Sequence, residues 1–344
     1  MAIEIIGTGR AVPPKKVSND ELAKMVDTTD EWIRSHTGIG NRHFADESTA
    51  CSDIAAEAAI NALAMAAGYT GDDPAQRDKA AAEAAQTIDI IIVATVTADY
   101  YGTPSTACLV QHKIGAKKAG AFDLSAGCTG FVYGLDTAAG LLLSDPQRKR
   151  ALVIGAEILS KVMNWEDRKT CVLFGDGAGA AVIEKTDAQG RTGLIKTLLY
   201  ADGSGADSLV MRRGGTRNPF KKGEVIDSPI CVEMNGQEVY NFAVGAMFDT
   251  ITALMESNNL SIDDIAWIVP HQANARIVKA ARIRLHIPEE KFYMNIEEYA
   301  NTSGATIPLA LDEMNRGGLI KKGDLILTVG FGGGLTYGGN IIIW

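Results

Sequence analysis

Phe122-Asp123-Leu124-Ser125-Ala126-Gly127-Cys128-Thr129-Gly130-Phe131 runs from a short apolar stretch through small residues into a helix-like segment. As a strand, a turn and a helix, it sets the Cys128 thiol at a helix start, where unpaired N–H groups and the helix dipole favour a thiolate. Cys128 is therefore a candidate covalent nucleophile. The cysteines at 51, 108, 171 and 231 have no such setting. A cysteine in an apolar run is more often a small buried hydrophobe, so the rest of the chain must supply the partners that a nucleophile needs.

Outside this turn, buried-strand candidates at 88–95, 121–124, 151–154, 180–183, 267–269, 325–329 and 340–343 alternate with helix candidates at 19–25, 52–67, 129–143, 237–258, 275–285 and 306–316. The first helix is capped by Ser18 or Asn19. Such alternation predicts an α/β fold with a mostly parallel sheet covered on both faces. The order occurs twice. DIIIVAT at 89–95 matches IAWIVPH at 265–271 in hydrophobic profile, and each copy then reaches a small-residue turn into a helix, SAGCTGF at 125–131 and ANTSGAT at 300–306. Strands ending in small residues follow, at 151–156 and 325–334, and each copy closes on one more strand. This internal repeat predicts two related halves, 1–185 and 186–344, joined in the polar, turn-rich segment 185–193. The segment 70–87 is expected to be a surface connection with a short solvated helix.

Composition narrows the class. The 344 residues suffice for a large core, and the 36 glycines cluster at turns without a repeat period. A formal charge of −9 with no dominating basic stripe argues against nucleic-acid binding, but leaves room for an acidic partner on a local basic patch. No apolar run reaches the length of a membrane span. The first residues, Met1 to Gly7, are strand-like and lack the pattern of a signal peptide, and five scattered cysteines without a Cys-x-x-Cys pair fit a reducing compartment. The expectation is a cytoplasmic protein with no structural zinc.

A cysteine nucleophile needs a proton-handling partner and donors for a developing oxyanion. His271 follows a buried-strand run, at the carboxyl edge where α/β folds gather ligands. Asn301 occupies the second-half turn that corresponds to the Cys128 turn. The three converge if the halves pack about a pseudo-two-fold axis. Taken singly, each has a plainer reading: a hydrogen-bonded structural histidine, and an asparagine that caps a turn. Two glycine clusters add to the pattern. FGDGAG at 174–179 has neither a dinucleotide-binding nor a P-loop register and is expected to be a tight strand turn near the site. FGGG at 331–334 is either a hairpin turn or a place where backbone N–H groups approach a ligand.

SAGCTGF, FGDGAGAAV, VPHQAN, YANTSGATIPLAL and GFGGGLTYG, with Trp32-Ile33 and Thr37-Gly38-Ile39, resemble β-ketoacyl-acyl-carrier-protein synthase III of the thiolase superfamily, over essentially the whole chain and in the family's order. The resemblance implies a thiolase-like fold of two duplicated α/β halves in a layered αβαβα core. It implies that Cys128 takes an acyl group from acyl-coenzyme A, and that His271 and Asn301 bind the malonyl-acyl carrier protein thioester as carbon dioxide leaves. The amides of Cys128 and Gly333 would form the oxyanion hole. Trp32, Thr37, Arg168, Gly236 and Asn274 would contact coenzyme A, while Thr103 and Phe331 would bound the acyl pocket, Thr103 from across a homodimer. Gln272, Ala273, Asn274, Ala275 and Arg276 would meet the acyl carrier protein. Independently of the family, Arg276, Lys279 and Arg282 recur every three residues, which predicts a basic stripe for that acidic partner. No metal, nicotinamide or flavin is implied.

Several positions depart from the family pattern. His36 stands where an arginine often contacts coenzyme A, Gln237 where an asparagine is common, and Asn241 where a lysine often helps dock the carrier protein. Thr103 replaces the phenylalanine that shortens the acyl pocket in some members, which would admit a longer or branched chain. Two other readings stand beside a fatty-acid-initiating enzyme: a synthase-III-like enzyme of polyketide or other secondary metabolism, and a non-catalytic acyl-binding subunit. The intact Cys128, His271 and Asn301 argue against the last.

Overall fold

The computed structural model of the chain describes residues 1–188, 190–224 and 230–344; Gln189, inside the expected junction 185–193, lies outside the described residues. The first part of the chain runs β1 (Ala2–Ala11), β2 (Lys15–Ser18), α1 (Asn19–Leu22), α2 (Asp30–Thr37), β3 (Asn41–Phe44), α3 (Cys51–Ala66), α4 (Pro74–Ala85), β4 (Ile90–Ala94), α5 (Thr106–Lys113), β5 (Gly120–Leu124), α6 (Gly130–Ser144), β6 (Arg150–Ile158) and β7 (Asp176–Thr186). The remainder runs β8 (Gly193–Ala201), β9 (Leu209–Val210), β10 (Glu233–Met234), α7 (Gly236–Ser257), β11 (Trp267–Pro270), α8 (Ala275–Leu285), α9 (Ile296–Tyr299), α10 (Thr306–Arg316), β12 (Leu325–Gly332) and β13 (Thr336–Ile343).

Two sheets carry the architecture. The first has the order β1-β7-β6-β4-β5 and the second β11-β12-β13-β8. In each, one parallel pair (β4/β6, β11/β12) adjoins an antiparallel one (β6/β7, β12/β13). The second sheet lacks a full counterpart of β5, and only an isolated bridge, Ile268 to Phe292, stands there. Strand β4, IIIVA, is buried on both faces, as a β-branched run in a covered parallel sheet should be. Helices α6 and α10 contact strands of both sheets and fill the layer between them, α3 covers the outer face of the first sheet, and α7 covers that of the second. The result is the αβαβα layering of the thiolase fold.

Small residues permit this closeness. A Cβ on Gly9 of β1 would come within 2.3 Å of the Ala58 carbonyl, so the alanine-rich helix α3 lies almost backbone to backbone on the strand. The FGDGAG cluster also serves packing, and this corrects the expectation of a tight turn. Residues 176–179 begin β7, and a Cβ on Gly179 would sit 2.5 Å from the Leu309 amide at the start of α10.

Other differences have local causes. Helix α1 stops at Leu22 and is capped by Ser18, which accepts from the Glu21 amide while Glu21 accepts from the Ser18 amide. Segment 70–87 holds the helix α4, with Asp73 as N-cap and Pro74 in the first turn. Its Ala81, Ala84 and Ala85 are buried against α3, so the helix is docked on one face. Strand β8 and helices α2 and α5 were not expected. Each alternates too little or is too short for a periodic signal.

Candidate active site

Cys128 lies in a single 3-10 turn, 127–129, that leads into α6. Gly127 enters this turn at φ 53°, a left-handed conformation that glycine adopts without strain. The second half repeats the device: a 3-10 turn at 303–305 leads into α10, and Ser303 enters it at φ 51°. The FGGG segment meets the Cys128 turn closely. A Cβ on Gly332 would lie 2.6 Å from the Cys128 amide and 2.8 Å from its Cβ. The segment both closes the β12–β13 hairpin and brings the Gly333 N–H to the Cys128 sulfur, where the Cys128 amide also points.

The thiol does not rest as a thiolate. Burial pushes the Cys128 pKa up to about 11, against the opposing effect of hydrogen bonds from Ser303 and the two amides. This corrects the expectation from the helix start: desolvation outweighs the turn's donors.

His271 follows β11, is 1 % exposed, and is held near pKa 3 by burial, so the ring is neutral. Its Nδ1 lies 2.7 Å from the Thr306 hydroxyl, and Phe331 packs edge-on against it. The Thr306 hydroxyl donates to Ser303 O at 3.0 Å, which anchors the residue that holds the ring. Nε2 is the nitrogen left for a ligand. Asn301 is pinned on both sides: its amide donates to Leu173 O (3.0 Å) and its carbonyl accepts from Gly175 (3.1 Å). Its Oδ1 accepts the Ser303 amide at 2.8 Å, leaving Nδ2 as a donor.

Cys128, His271 and Asn301 line one cavity of about 660 Å³ together with Trp32, Thr37, Gly236, Ala273, Asn274, Arg276, Lys279, Phe331 and Gly332. Much of its wall has its polar atoms committed. The Thr37 hydroxyl donates to Ile33 O, and Asn274 caps α8 while its Nδ2 donates to His36 O. At the outer end, His36 stacks on Trp32 with centroids 4.4 Å apart, and the Arg168 guanidinium stands 5.7 Å from the same ring. Cys128 also lines a second, mainly apolar cavity of about 510 Å³ with Val96, Leu159, Phe174, Leu209, Met211 and Val232.

Five expected site residues are placed differently. Gln272 is buried, and its side chain donates to Pro270 O and Tyr293 O, so it presents nothing to a partner. Ala275 packs its Cβ against Gly38. Arg282 turns away to pair with Glu289, because a three-residue repeat drifts about 60° per step around a 3.6-residue helix. Exposed Ile283 lies on the face of Arg276 instead. Phe331 lines the larger cavity beside His271, not the second, apolar one. Thr103 is exposed and lines neither cavity.

Thr306, Ser303, Glu157 and the walls of the second cavity were missed. Only Glu157 carried a signal, as a lone charge in the apolar run ALVIGAEI. Among the described residues no group of three or more His, Cys, Asp or Glu side chains could hold a metal ion, and no helix is long and apolar enough to cross a membrane.

A buried thiol facing two backbone amides, a neutral imidazole and a carboxamide, on a duplicated αβαβα frame, defines a condensing enzyme of the thiolase type. Residues 122–203 match the family described as 3-oxoacyl-[acyl-carrier-protein (ACP)] synthase III, and residues 255–344 its C-terminal part. The β-ketoacyl-[acyl-carrier-protein] synthase III of Clostridium acetobutylicum is 47% identical over 344 residues, covering 100% of this chain and 99% of that protein. A solved 3-oxoacyl-[acyl-carrier-protein] synthase III from Aquifex aeolicus superposes with a TM-score of 0.86 at 40% identity, covering 100% of both chains. The priming β-ketosynthase of the R1128 polyketide pathway gives 0.86 at 31% identity, covering 99% of this chain and 96% of its own. The chain belongs to the β-ketoacyl-[acyl-carrier-protein] synthase III family.

The Thr306 contact to His271 yields a test. Thr306→Val keeps the shape but removes the hydroxyl that holds the His271 ring at Nδ1. Condensation should slow at least about 10-fold while acylation of Cys128 is unchanged, as separate single-turnover measurements of the two steps would report.

Proposed function

We propose that the protein performs the decarboxylative Claisen condensation of an acyl-coenzyme A primer with malonyl-acyl carrier protein, giving 3-oxoacyl-acyl carrier protein and carbon dioxide and starting fatty-acid synthesis. The observation that carries this reading is the convergence of Cys128, His271 and Asn301 on one cavity, with the Cys128 and Gly333 amides directed at the sulfur. Cys128 Sγ attacks the primer thioester, and those two amides receive the developing oxyanion. Losing one such donor typically costs about 3 kcal/mol of transition-state stabilisation. Coenzyme A leaves along the larger cavity, past Trp32 and Arg168. The malonyl thioester then takes its place, with its carbonyl between His271 Nε2 and Asn301 Nδ2. A neutral imidazole and a carboxamide suit this step, because an enolate forms there as carbon dioxide departs. The carbanion attacks the acyl-Cys128 carbonyl. No step calls for a metal or a redox cofactor.

The apolar second cavity, opening at Cys128, supports a primer longer than acetyl. Arg276 and Lys279 are exposed at the mouth of the larger cavity, beside Ile283 at 56% exposure, which suits an acidic carrier protein presenting an apolar contact. Five free cysteines support a cytoplasmic setting. The open edge of β5 supports a homodimer: among the described residues that strand has no outer neighbour, and Phe122 on it is 37% exposed. Asp123 of β5 accepts the amides of Thr106 and Ala107, which holds the segment carrying Thr103 beside this edge. A second copy paired there would bring Thr103 toward its partner's acyl cavity.

Incubation with a panel of acyl-coenzyme A thioesters, followed by intact-mass analysis, tests the central claim. The wild type should carry one acyl group and Cys128→Ala none; Asn301→Ala should be acylated without condensing. An adduct that persists in Cys128→Ala would sink the mechanism. Comparing malonyl-acyl carrier protein with malonyl-coenzyme A as the second substrate separates this reading from a polyketide role. Arg276→Glu should raise KM for malonyl-acyl carrier protein roughly 10-fold and leave the acylation rate intact, as a mouth contact made through charge predicts. Sedimentation should give the mass of two chains for the wild type and of one chain for Phe122→Asp.

A further inference from the structure

One buried ionisable group beside the nucleophile has no part in the steps above. Glu157, near the end of β6, is 0% exposed. Its carboxyl group accepts the Thr97 hydroxyl at 2.5 Å, the Val96 amide at 3.2 Å and the Thr95 hydroxyl at 3.3 Å. Among the described residues no lysine or arginine pairs with it. The titratable groups that face it are the Cys51 thiol, from α3, and the Cys128 thiol. Burial, opposed by these hydrogen bonds, brings its pKa up to about 7.

Ser303 connects this carboxyl to the reacting sulfur. It lines the second cavity together with Cys128, and its hydroxyl is the polar group that acts on both the Cys128 thiol and the Glu157 carboxyl. Ser303 is 2% exposed and keeps a side chain at φ 51°, where its counterpart in the first half is Gly127. A left-handed serine with its hydroxyl between a thiol and a carboxylate is a placement that packing alone does not require.

Acyl transfer needs somewhere to put a proton. Burial holds Cys128 as a thiol, and the same burial keeps His271 from holding a proton at neutral pH. We propose that Ser303 relays the Cys128 thiol proton to Glu157 during acyl transfer, and that Glu157 holds it until the condensed product leaves. The inference rests on Cys128 being the acylated residue. As the Sγ–acyl bond forms and the acyl–coenzyme A bond breaks, the Cys128 proton passes to Ser303 Oγ, and the Ser303 proton to the Glu157 carboxylate. Coenzyme A departs as a thiolate and takes a proton from solvent. In the second step the malonyl carboxylate leaves as carbon dioxide, its bonding electrons form the new carbon–carbon bond, and the acyl–Sγ bond breaks. The Cys128 thiolate so released recovers its proton from Glu157 through Ser303. Each turnover thus consumes one solvent proton, and the enzyme ends as it began. A neutral Glu157 during condensation also spares the enolate a negative neighbour. Ser303 touches the reacting sulfur, and Glu157 acts through it.

Rapid-quench intact-mass measurement of acyl-enzyme formation, with acyl-coenzyme A alone and across neutral pH, tests the relay. In the wild type the rate should rise with pH through about 7, where Glu157 becomes a carboxylate. Glu157→Gln should be acylated roughly 100-fold more slowly at neutral pH, with its pH rise displaced to the alkaline range. Ser303→Ala should show the same loss, and the double variant should be no slower than either single one. The relay is overturned if Glu157→Gln keeps the wild-type rate and profile, or if its rate falls by one constant factor at every pH. Should Glu157→Gln fail to fold, Ser303→Ala alone decides, and a wild-type pH profile in that variant rejects the proposal. A wild type that forms no acyl-Cys128 overturns the functional reading itself, an outcome visible before any variant is compared.

Discussion

The site depends on a close crossing of backbones where the two halves meet. Gly332 lies so near the Cys128 turn that a single Cβ would strike its amide at 2.6 Å, and a Cβ on Gly155 would come within 2.2 Å of Gly304 O, in the turn after Asn301. These contacts hold each half's turn against a strand of the other. Nothing larger than glycine permits such an approach, and only this approach puts the Gly333 amide on the sulfur of a residue two hundred positions away. The thiol, the two amides directed at it and the Asn301 turn are therefore positioned by rigid backbone, which is where preorganised donors are most effective.

Burial at that crossing then sets the chemistry. The same desolvation that keeps Cys128 a thiol keeps His271 neutral and lifts Glu157 toward neutrality. The neutral imidazole and the carboxamide beside the sulfur suit the proposed reaction, whose hardest step makes an enolate, since they can face it without first binding a free carboxylate tightly. The cost falls on the nucleophile, which must lose a proton in a dry place, and the Ser303–Glu157 arrangement answers that need.

Much of this was legible in residue order. The repeated strand–turn–helix pattern pointed to Cys128, His271 and Asn301, because a period written twice constrains where side chains gather even when each signal alone is weak. Helices α8 and α10 kept their expected bounds, since both carry a strong apolar stripe. Less was legible where a side chain's direction mattered. The Gln272 amide turned inward to satisfy Pro270 O and Tyr293 O, and Arg282 left the basic stripe for Glu289. The apolar second cavity was not foreseen either, because its walls come from 96, 159, 174, 209–211 and 232, segments with no common period.

By itself the sequence determined the α/β class, the duplicated order and the identity of the three side chains proposed to react, because periodicity and residue type are properties of the chain written in a line. Only the tertiary structure decided their state. Whether Cys128 is a thiol, which nitrogen of His271 faces the cavity, and that Glu157 reaches the sulfur through Ser303 all depend on burial and on hydrogen bonds between residues far apart in the chain. Those quantities arise when the halves close on one another, and the order of residues does not record them.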